Sequence, residues 1–193
     1  MIGMRQVLQA AFLTALLLTS GCNRALPQGK AATTAPRKKQ LPKPSPTAHL
    51  IQLPDSAIFV ERGSTEDQLA AFLASPAPAP RTFRFPGAEF EPWQSKPNPA
   101  TLRTMYAVAQ ILRAYPHSEV MLIGHTDNIG TADQNLRLSE ERVNRMAQLL
   151  IQAGIEQRRI TAIGHGMRDP VADNATDEGK ARNRRIELVV TAK

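Results

Sequence analysis

The stretch MLIGHTDNIGTADQNLRLSEERVNRMAQLLIQAG, residues 121–154, decides the fold of this 193-residue chain. It completes the apolar run Val120–Ile123, which is typical of a strand buried on both faces. After a polar loop, Thr131 and Gln134 have the spacing of a capping box that begins a helix. Apolar residues then recur at helical spacing: Leu138, Val143, Met146, Ala147, Leu150 and Ile151. Gly154 suits the position just after a helix ends, so we predict a buried strand, a loop and an amphipathic helix.

Further elements flank this unit on both sides. A helix is predicted from Asn98 and Pro99, a cap residue followed by proline at the first helical position, and Pro116 ends it. Three more strands are predicted at Thr82–Phe85, Arg159–Ile163 and Arg185–Val190. The order is β-α-β-α-β-β, so we predict an α+β domain over residues 81–193. It should form a two-layer sandwich with its helices on one face of a mixed sheet.

The N-terminus has the order of a secretory signal peptide. Arg5 precedes the apolar core Val7–Leu18, and small residues follow it. This core is shorter than the ~20 apolar residues that span a bilayer, so we expect residues 1–21 to be cleaved. Cys22 is the only cysteine and cannot form an internal disulfide. Its position resembles the lipobox of bacterial lipoproteins, which implies that Cys22 is lipidated.

Residues 22–49 have the composition of a linker. They contain five prolines and six basic residues, no acidic residue and almost no large apolar side chain. Such a segment cannot bury enough apolar surface to fold, so we predict a flexible, partly extended spacer. Its cations either remain solvated or also contact anionic lipid or polymer.

The net charge of +7 and the isoelectric point near 10.1 come from the N-terminal part of the chain. Residues 50–193 contain 17 basic and 17 acidic residues, so the folded part is neutral. A neutral domain has no field that would steer a polyanion toward it. We therefore exclude nucleic acid as a partner.

Residues 50–80 form a short N-terminal extension with weaker patterns. Ser64–Asp67 fits the capped start of a short helix, Ile58–Val60 is a possible strand, and Pro76–Pro80 is a stiff break. The extension either packs against the main domain or docks another envelope protein.

The loop after the buried strand contains the best candidates for chemistry. His125 and Asp127 lie there, and Gly164-His165 repeats Gly124-His125. A metal-dependent cell-wall hydrolase that uses His125, Asp127 and His165 is one hypothesis, because such metal sites have three protein ligands. The chain has no His-Glu-x-x-His, cysteine cluster or Gly-x-Ser-x-Gly motif to support it. We therefore prefer a structural histidine, no metal or cofactor, and no catalysis.

A spaced pattern of residues resembles the C-terminal domain of outer membrane protein A, which peptidoglycan-associated lipoproteins share. The pattern comprises Gly124-His125-Thr126-Asp127-Asn128-x-Gly130, Asn135, Leu138-Ser139, Arg142, Gly154, Arg159, Gly164-x-Gly166, Pro170, Asn174, Gly179 and Asn183–Leu188. The resemblance implies a non-enzymatic domain that binds peptidoglycan through the meso-diaminopimelate of its stem peptide. It also implies a lipoprotein of the outer membrane that faces the periplasm. Whether it serves a larger machine, such as a secretion system or the Tol complex, stays open.

By the same resemblance, Asp127 and Arg142 hold the ligand, and Thr126, Asn135 and Arg184 also bind it. The chemistry fits, since the far end of diaminopimelate carries an ammonium and a carboxylate on one carbon. A carboxylate accepts from the ammonium, and a planar guanidinium donates twice to the carboxylate. The residues alone favour purely structural interpretations. These are a loop or capping carboxylate for Asp127, a solvated helix residue for Arg142, a surface amide for Asn135 and a sheet-edge ion pair for Arg184. Arg185 is expected to be structural.

Overall fold

The structure is a computed structural model, which describes residues 47–85 and 95–193. The predicted signal peptide, the lipidation site at Cys22 and the linker up to residue 46 lie outside these residues. The predictions made for them remain predictions.

A four-stranded mixed sheet forms one layer of the domain. Its strands are β3 (Arg81–Phe85), β4 (Glu119–His125), β5 (Ile160–Gly166) and β6 (Ile186–Ala192). Their order across the sheet is β3-β6-β4-β5. β4 and β5 are parallel, whereas β6 runs antiparallel to both of its neighbours. The mixed sheet confirms the predicted fold class.

Two long helices, α2 (Pro99–Ala114) and α3 (Ala132–Gln152), form the second layer. Asn98 caps α2 by accepting a hydrogen bond from the Thr101 amide at 2.9 Å. Both bonds of the predicted capping box are present at α3, from Gln134 N to Thr131 Oγ1 (3.2 Å) and from Thr131 N to Gln134 Oε1 (2.9 Å). No helix within the described ranges is long and apolar enough to cross a bilayer.

The core lies between the two layers. Alternate strand residues such as Phe83, Leu122 and Leu188 are buried against Val108 and Val143 of the helices. The intervening strand residues point away from the helices, since successive side chains of a strand alternate between faces. We call this side the open face of the sheet. It presents Arg84, Ile123, Ile163 and Glu187, which form one row across the four strands.

The N-terminal extension is part of the same core. It consists of an antiparallel hairpin, β1 (Ala48–Gln52) and β2 (Ala57–Glu61), followed by α1 (Thr65–Ala74). Leu53, Ile58, Val60, Leu69 and Phe72 are buried in one cluster with the domain. The extension thus packs on the domain, which was one of its two interpretations. Its first strand begins inside the segment predicted as linker.

One α-helix of the described residues and the short 3-10 helix Gln157–Arg159 were missed by the sequence analysis. α4 (Asp177–Asn183) lies between β5 and β6 and begins at Thr176, whose hydroxyl accepts from the Gly179 amide at 3.0 Å. Its sequence, DEGKARN, has no apolar periodicity from which a helix could be predicted. The observed order over residues 81–193 is therefore β-α-β-α-β-α-β.

The close packing of α3 on β5 depends on Gly164. A Cβ atom at this position would lie 2.5 Å from Glu140 Cγ and 2.6 Å from the Glu140 amide nitrogen. These distances are far shorter than ordinary van der Waals contact. Glycine at this position thus lets the helix backbone rest directly on the strand.

We predict that Gly164→Ala lowers the free energy of unfolding by about 1–3 kcal/mol, because the added methyl group forces α3 away from the sheet. The measurement is urea denaturation followed by circular dichroism. Gly63→Ala is the comparison variant, since Gly63 has φ +76° but open space around it. It should cost only the backbone strain of about 1–2 kcal/mol. Unchanged stability of Gly164→Ala would contradict the packing argument.

Candidate functional site

The candidate site begins in the loop that joins β4 to α3. Gly130 has φ +91°, a left-handed conformation that lets the loop fold back along the helix. The Ile129 amide donates to Asp127 Oδ1 at 3.1 Å. Asn135 Nδ2 donates to the carbonyl oxygens of Ile129 (2.9 Å) and Thr131 (3.2 Å). The buried Asn135 side chain therefore fixes the loop against the first turn of α3.

Thr126 aligns the loop with the neighbouring strand. Its amide donates to the Gly166 carbonyl at 2.8 Å, and its hydroxyl donates to the Asp127 carbonyl at 2.8 Å. Both Thr126 and Asp127 are buried. The Thr126 side chain is used within the loop and sets the direction of the following residue.

Asp127 forms an ion pair with Arg184. Arg184 Nη1 donates to Asp127 Oδ2 at 2.7 Å, although the residues are 57 positions apart. The Asp127 side chain is 9% exposed and that of Arg184 is 33% exposed. A short charge-assisted bond of this kind is stronger than a neutral one and holds the carboxylate in a defined orientation.

Arg142 contributes a second, more deeply buried guanidinium. Burial lowers the pKa of Arg142, the charge of Asp127 raises it, and the charge of Arg184 lowers it. An arginine nevertheless keeps its charge in a protein. Asp127, Arg142 and Arg184 therefore act on one another as two positive charges and one negative charge. Such a group can accept a further anion beside the carboxylate.

The structure thus brings the predicted site residues together at the end of β4 and the start of α3. They are Thr126, Asp127, Asn135, Arg142 and Arg184. Met167, which the sequence analysis did not single out, joins them. Its sulfur lies 4.0 Å from Asn135 Nδ2, and its side chain is partly exposed. No sequence signal distinguishes this methionine from one in the core.

Two buried polar residues support the site without any charge. Ser139 Oγ accepts from the Gly166 amide at 2.9 Å and donates to the Leu136 carbonyl at 2.8 Å, which links α3 to the end of β5. Asn183 accepts from the amides of Val171 (2.8 Å) and Ala172 (3.0 Å). It also donates to the Ala172 carbonyl at 2.8 Å and to Asn174 Oδ1 at 2.9 Å. Asn183 thereby holds the loop before α4 next to Arg184.

Arg185 has the structural role that was expected of it. Its side chain is buried, and it donates to Glu187 Oε1 at 2.9 Å and to the Asp169 carbonyl at 3.1 Å. Burial alone would raise the pKa of Glu187, but hydrogen bonds from Arg185 and Arg84 outweigh it and lower that pKa overall. Arg184 and Arg185 are adjacent in sequence, but Arg184 bonds to Asp127 and Arg185 bonds to Glu187.

The two histidines lie on the open face and have partners of their own. His125 is buried, with Nδ1 3.3 Å from the Arg168 carbonyl, and His165 Nδ1 lies 3.1 Å from Asp169 Oδ2. Their rings meet edge to face, with centroids 5.3 Å apart. Asp127 instead forms its ion pair with Arg184. Within residues 47–85 and 95–193, no group of three His, Cys, Asp or Glu residues could hold a metal ion.

Comparison with known protein families gives one match. The profile described as the OmpA family matches residues 90–184. The probable lipoprotein YiaD of Escherichia coli is 43% identical over 93 residues, which is 48% of this chain and 42% of YiaD. The peptidoglycan-binding protein ArfA of Mycobacterium tuberculosis is 40% identical over 92 residues, 48% of this chain and 28% of ArfA. The chain therefore spans less than half the length of these relatives.

A solved structure resembles the chain over a larger share. The cell wall anchor of the type VI secretion system (T6SS) from Pseudomonas aeruginosa is 30% identical and has a TM-score of 0.54. The match covers 69% of this chain and all of that protein. These similar proteins are named as a lipoprotein, a peptidoglycan-binding protein and a cell wall anchor rather than as enzymes.

His125 should make the stability of the protein depend on pH. Burial first, and then the charge of Arg185, lower the pKa of His125 below its ordinary 6.5. As the pH falls below about 6.5, the unfolded chain binds a proton before the folded protein does, so the free energy of unfolding decreases. Glu187, whose pKa is also lowered, contributes a further decrease only as the pH falls below its ordinary 4.5.

The measurement is urea denaturation at intervals from pH 7.5 to about 3.5. His125→Gln should flatten the slope between about pH 6.5 and 5 and leave the slope below about 4.5. His117→Gln, at an exposed histidine, is the control and should keep both slopes. A wild-type stability that does not change between pH 7 and 5 would contradict the prediction.

Proposed function

This chain belongs to the OmpA family, and from that premise we propose that residues 81–193 bind peptidoglycan non-covalently through the meso-diaminopimelate of the stem peptide. One observation carries the proposal. The buried carboxylate of Asp127 has one arginine bonded to it and a second, buried arginine in its field. This matches a ligand that presents an ammonium and a carboxylate on a single carbon.

Each charge of the ligand has a counterpart in the site. Asp127 accepts hydrogen bonds from the ammonium, while Arg142 donates a pair of parallel bonds to the carboxylate. Asn135 and Thr126 hold the loop, so that the position of Asp127 does not depend on the ligand. A site arranged before binding loses less conformational entropy when the ligand arrives.

Arg184 has a separate role in the proposal. Its guanidinium already occupies one oxygen of Asp127 and stands where the ligand ammonium would bind. Binding therefore exchanges one cation for another on the same carboxylate. A buried charge is costly when it has no partner, and this exchange keeps Asp127 paired throughout. The displaced, partly exposed Arg184 is then free to turn toward the ligand carboxylate.

The same site discriminates among stem peptides. A lysine in place of diaminopimelate keeps the ammonium but lacks the adjacent carboxylate. Arg142 is buried near the charge of Asp127, and a lysine-type peptide brings no carboxylate to bond with this guanidinium. Such a peptide forgoes the charge-assisted hydrogen bonds that the carboxylate of diaminopimelate forms, and it therefore binds more weakly.

We further propose that the protein is a tether of the cell envelope. Lipid on Cys22 would hold it in the outer membrane, facing the periplasm. Residues 22–49 would span on the order of 80 Å if fully extended at ~3.1 Å per residue. The similarity to a lipoprotein and to a secretion-system wall anchor supports this arrangement. The similarity to the wall anchor also supports an envelope machine as the client of the tether.

The hydrolase hypothesis has no such support. Asp127, which it requires as a metal ligand, is committed to Arg184, and its two histidines contact other groups. Binding alone accounts for the charges that the fold brings together.

We expect the Asp127→Asn and Arg142→Ala variants to lose binding to diaminopimelate-type sacculi. Asparagine keeps the acceptor for the Ile129 amide but removes the charge that holds the ammonium. Losing one partner of a buried charge pair costs 2–5 kcal/mol, which is roughly a 30-fold or greater loss of affinity. The measurement is co-sedimentation of the full-length protein, in detergent, with purified sacculi.

Matched controls lie on the same helix. Asp133→Asn and Arg145→Ala change an exposed acid and an exposed base of α3 and should pellet like the wild type. Circular dichroism checks that every variant is folded. Muropeptide release is assayed in the same tubes, and release of fragments would overturn the binding-only function. If wild type and the Asp127 and Arg142 variants pellet equally, the proposed site is wrong.

Discrimination between stem peptides gives a separate prediction. The wild type should bind a tripeptide ending in meso-diaminopimelate at least ten times more tightly than the matched tripeptide ending in lysine. In Arg142→Ala this ratio should shrink toward one, because the residue that senses the carboxylate is gone. The measurement is isothermal titration calorimetry with both peptides. If the wild type binds both tripeptides with equal affinity, the site does not recognise the carboxylate of diaminopimelate.

A further inference from the structure

A cavity lies on the open face of the sheet, at the end of β4 that leads into the proposed site. Its volume is about 480 Å³, and its polar lining consists of Arg84, His125, His165, Asp169, Arg185 and Glu187. Ile123, Pro170 and Val171 supply an apolar part of the wall. The Arg84 side chain is 64% exposed, so the cavity is accessible from solvent. We call it the open-face cavity.

One buried polar atom in this lining lacks a partner. His125 is only 4% exposed, and among the described residues its Nε2 atom has no hydrogen-bond partner. Nδ1 faces the Arg168 carbonyl, which can only accept, so Nδ1 carries the proton and Nε2 is an acceptor. Most buried polar atoms are hydrogen-bonded, and an exception calls for an explanation.

A donor group in the cavity would satisfy this atom. Glu187 Oε2 lies 3.9 Å from His125 Nε2, so a donor atom to one side of the pair can lie about 2.9 Å from both atoms. The Asp169 carboxylate and the His165 ring stand nearby on the cavity wall. The cavity thus offers several acceptors on one side and an apolar surface on the other.

The charges around the cavity indicate a neutral ligand. Arg84 and Arg185 both donate to Glu187, and Asp169 supplies the second negative charge. The two cations and two anions cancel. Hydroxyl and amide N–H groups on a ring with an apolar C–H face combine these features, since small-ligand sites pair apolar walls with a few placed polar groups.

The open-face cavity is continuous in sequence with the proposed diaminopimelate site. His125 lies two residues before Asp127, and Arg185 directly follows Arg184. Val171, on the cavity wall, is held by Asn183. Asp127 lies beyond the end of β4, in the loop that Asn135 holds against α3, whereas His125 and Arg185 line the open-face cavity at the same end of the sheet. A stem peptide advances about 3.5 Å per residue, so a few residues suffice to pass around it.

We propose that the open-face cavity is a second subsite, which binds the amino sugar that bears the stem peptide. Hydroxyl or acetamido N–H groups of the sugar donate to His125 Nε2 and the Glu187 carboxylate, and the ring rests on Ile123 and Val171. This subsite rests on the proposed function, because the diaminopimelate must be held for the sugar to reach the cavity. The protein would then bind both the sugar and the stem peptide of a complete muropeptide.

The test compares two ligands of the full-length protein by isothermal titration calorimetry. One is the free tripeptide that ends in meso-diaminopimelate, and the other is the same tripeptide on its disaccharide. The wild type should bind the disaccharide-tripeptide about 5–10 times more tightly, as expected for one or two additional hydrogen bonds. His125→Phe, which removes the acceptor but keeps a buried ring, should abolish this advantage and leave tripeptide binding unchanged.

A second variant tests the same cavity independently, in case His125→Phe does not fold. Val171→Arg places a long side chain at the exposed wall of the cavity and should also remove the advantage of the disaccharide. Ile151→Arg, at a partly exposed residue of α3, is its control and should keep the advantage.

The outcomes separate the two proposals. Equal binding of both ligands by the wild type would overturn the sugar subsite and leave the diaminopimelate site standing. Weaker tripeptide binding by His125→Phe and Val171→Arg would show that the cavity holds peptide amides, which also overturns the sugar assignment. If neither ligand binds the wild type, the proposed function itself fails, and the subsite with it.

Discussion

The close approach of α3 to the parallel strands β4 and β5 is the constraint on which the rest of the site depends. Gly164 removes the side chain that would separate helix from strand, and Ser139 bonds across the contact to the Gly166 amide. With the helix this close, Asn135 can hold the loop after β4, and Arg142 lies within the field of Asp127. The charges of the site are therefore positioned by backbone packing.

Burying an anion and two cations together is expensive unless they compensate one another. Here Asp127 is bonded to Arg184 and lies in the field of Arg142, so the unliganded site is already paired. An arrangement that holds opposite charges at fixed positions suits the recognition of a zwitterion. Among residues 47–85 and 95–193, no group of three His, Cys, Asp or Glu side chains could hold a metal ion.

Adjacent residues of this protein serve opposite sides of one sheet end. Asp127 and Arg184 face the helix side, whereas His125 and Arg185 face the open side, where Glu187 pairs with two arginines. The loop after β4, which Asn135 holds against α3, sets the direction of Asp127, since alternation alone would place Asp127 on the side of His125. The N-terminal extension adds Leu53, Ile58 and Leu69 to the same core, so the hairpin and α1 are structural parts of the folded unit.

The sequence by itself determined the helices α2 and α3, the four strands of the sheet and the capping box, because hydrophobic periodicity and cap chemistry are local. It also determined, through a spaced family pattern, which residues to consider for the site. It did not reveal α4, whose short polar sequence has no periodicity, or the position of Met167 near Asn135. Only the tertiary structure decided that Asp127 pairs with Arg184, 57 residues away, and that Asn183 accepts a hydrogen bond from the Val171 amide. Such contacts join distant parts of the chain, so they depend on how the strands are ordered in the sheet.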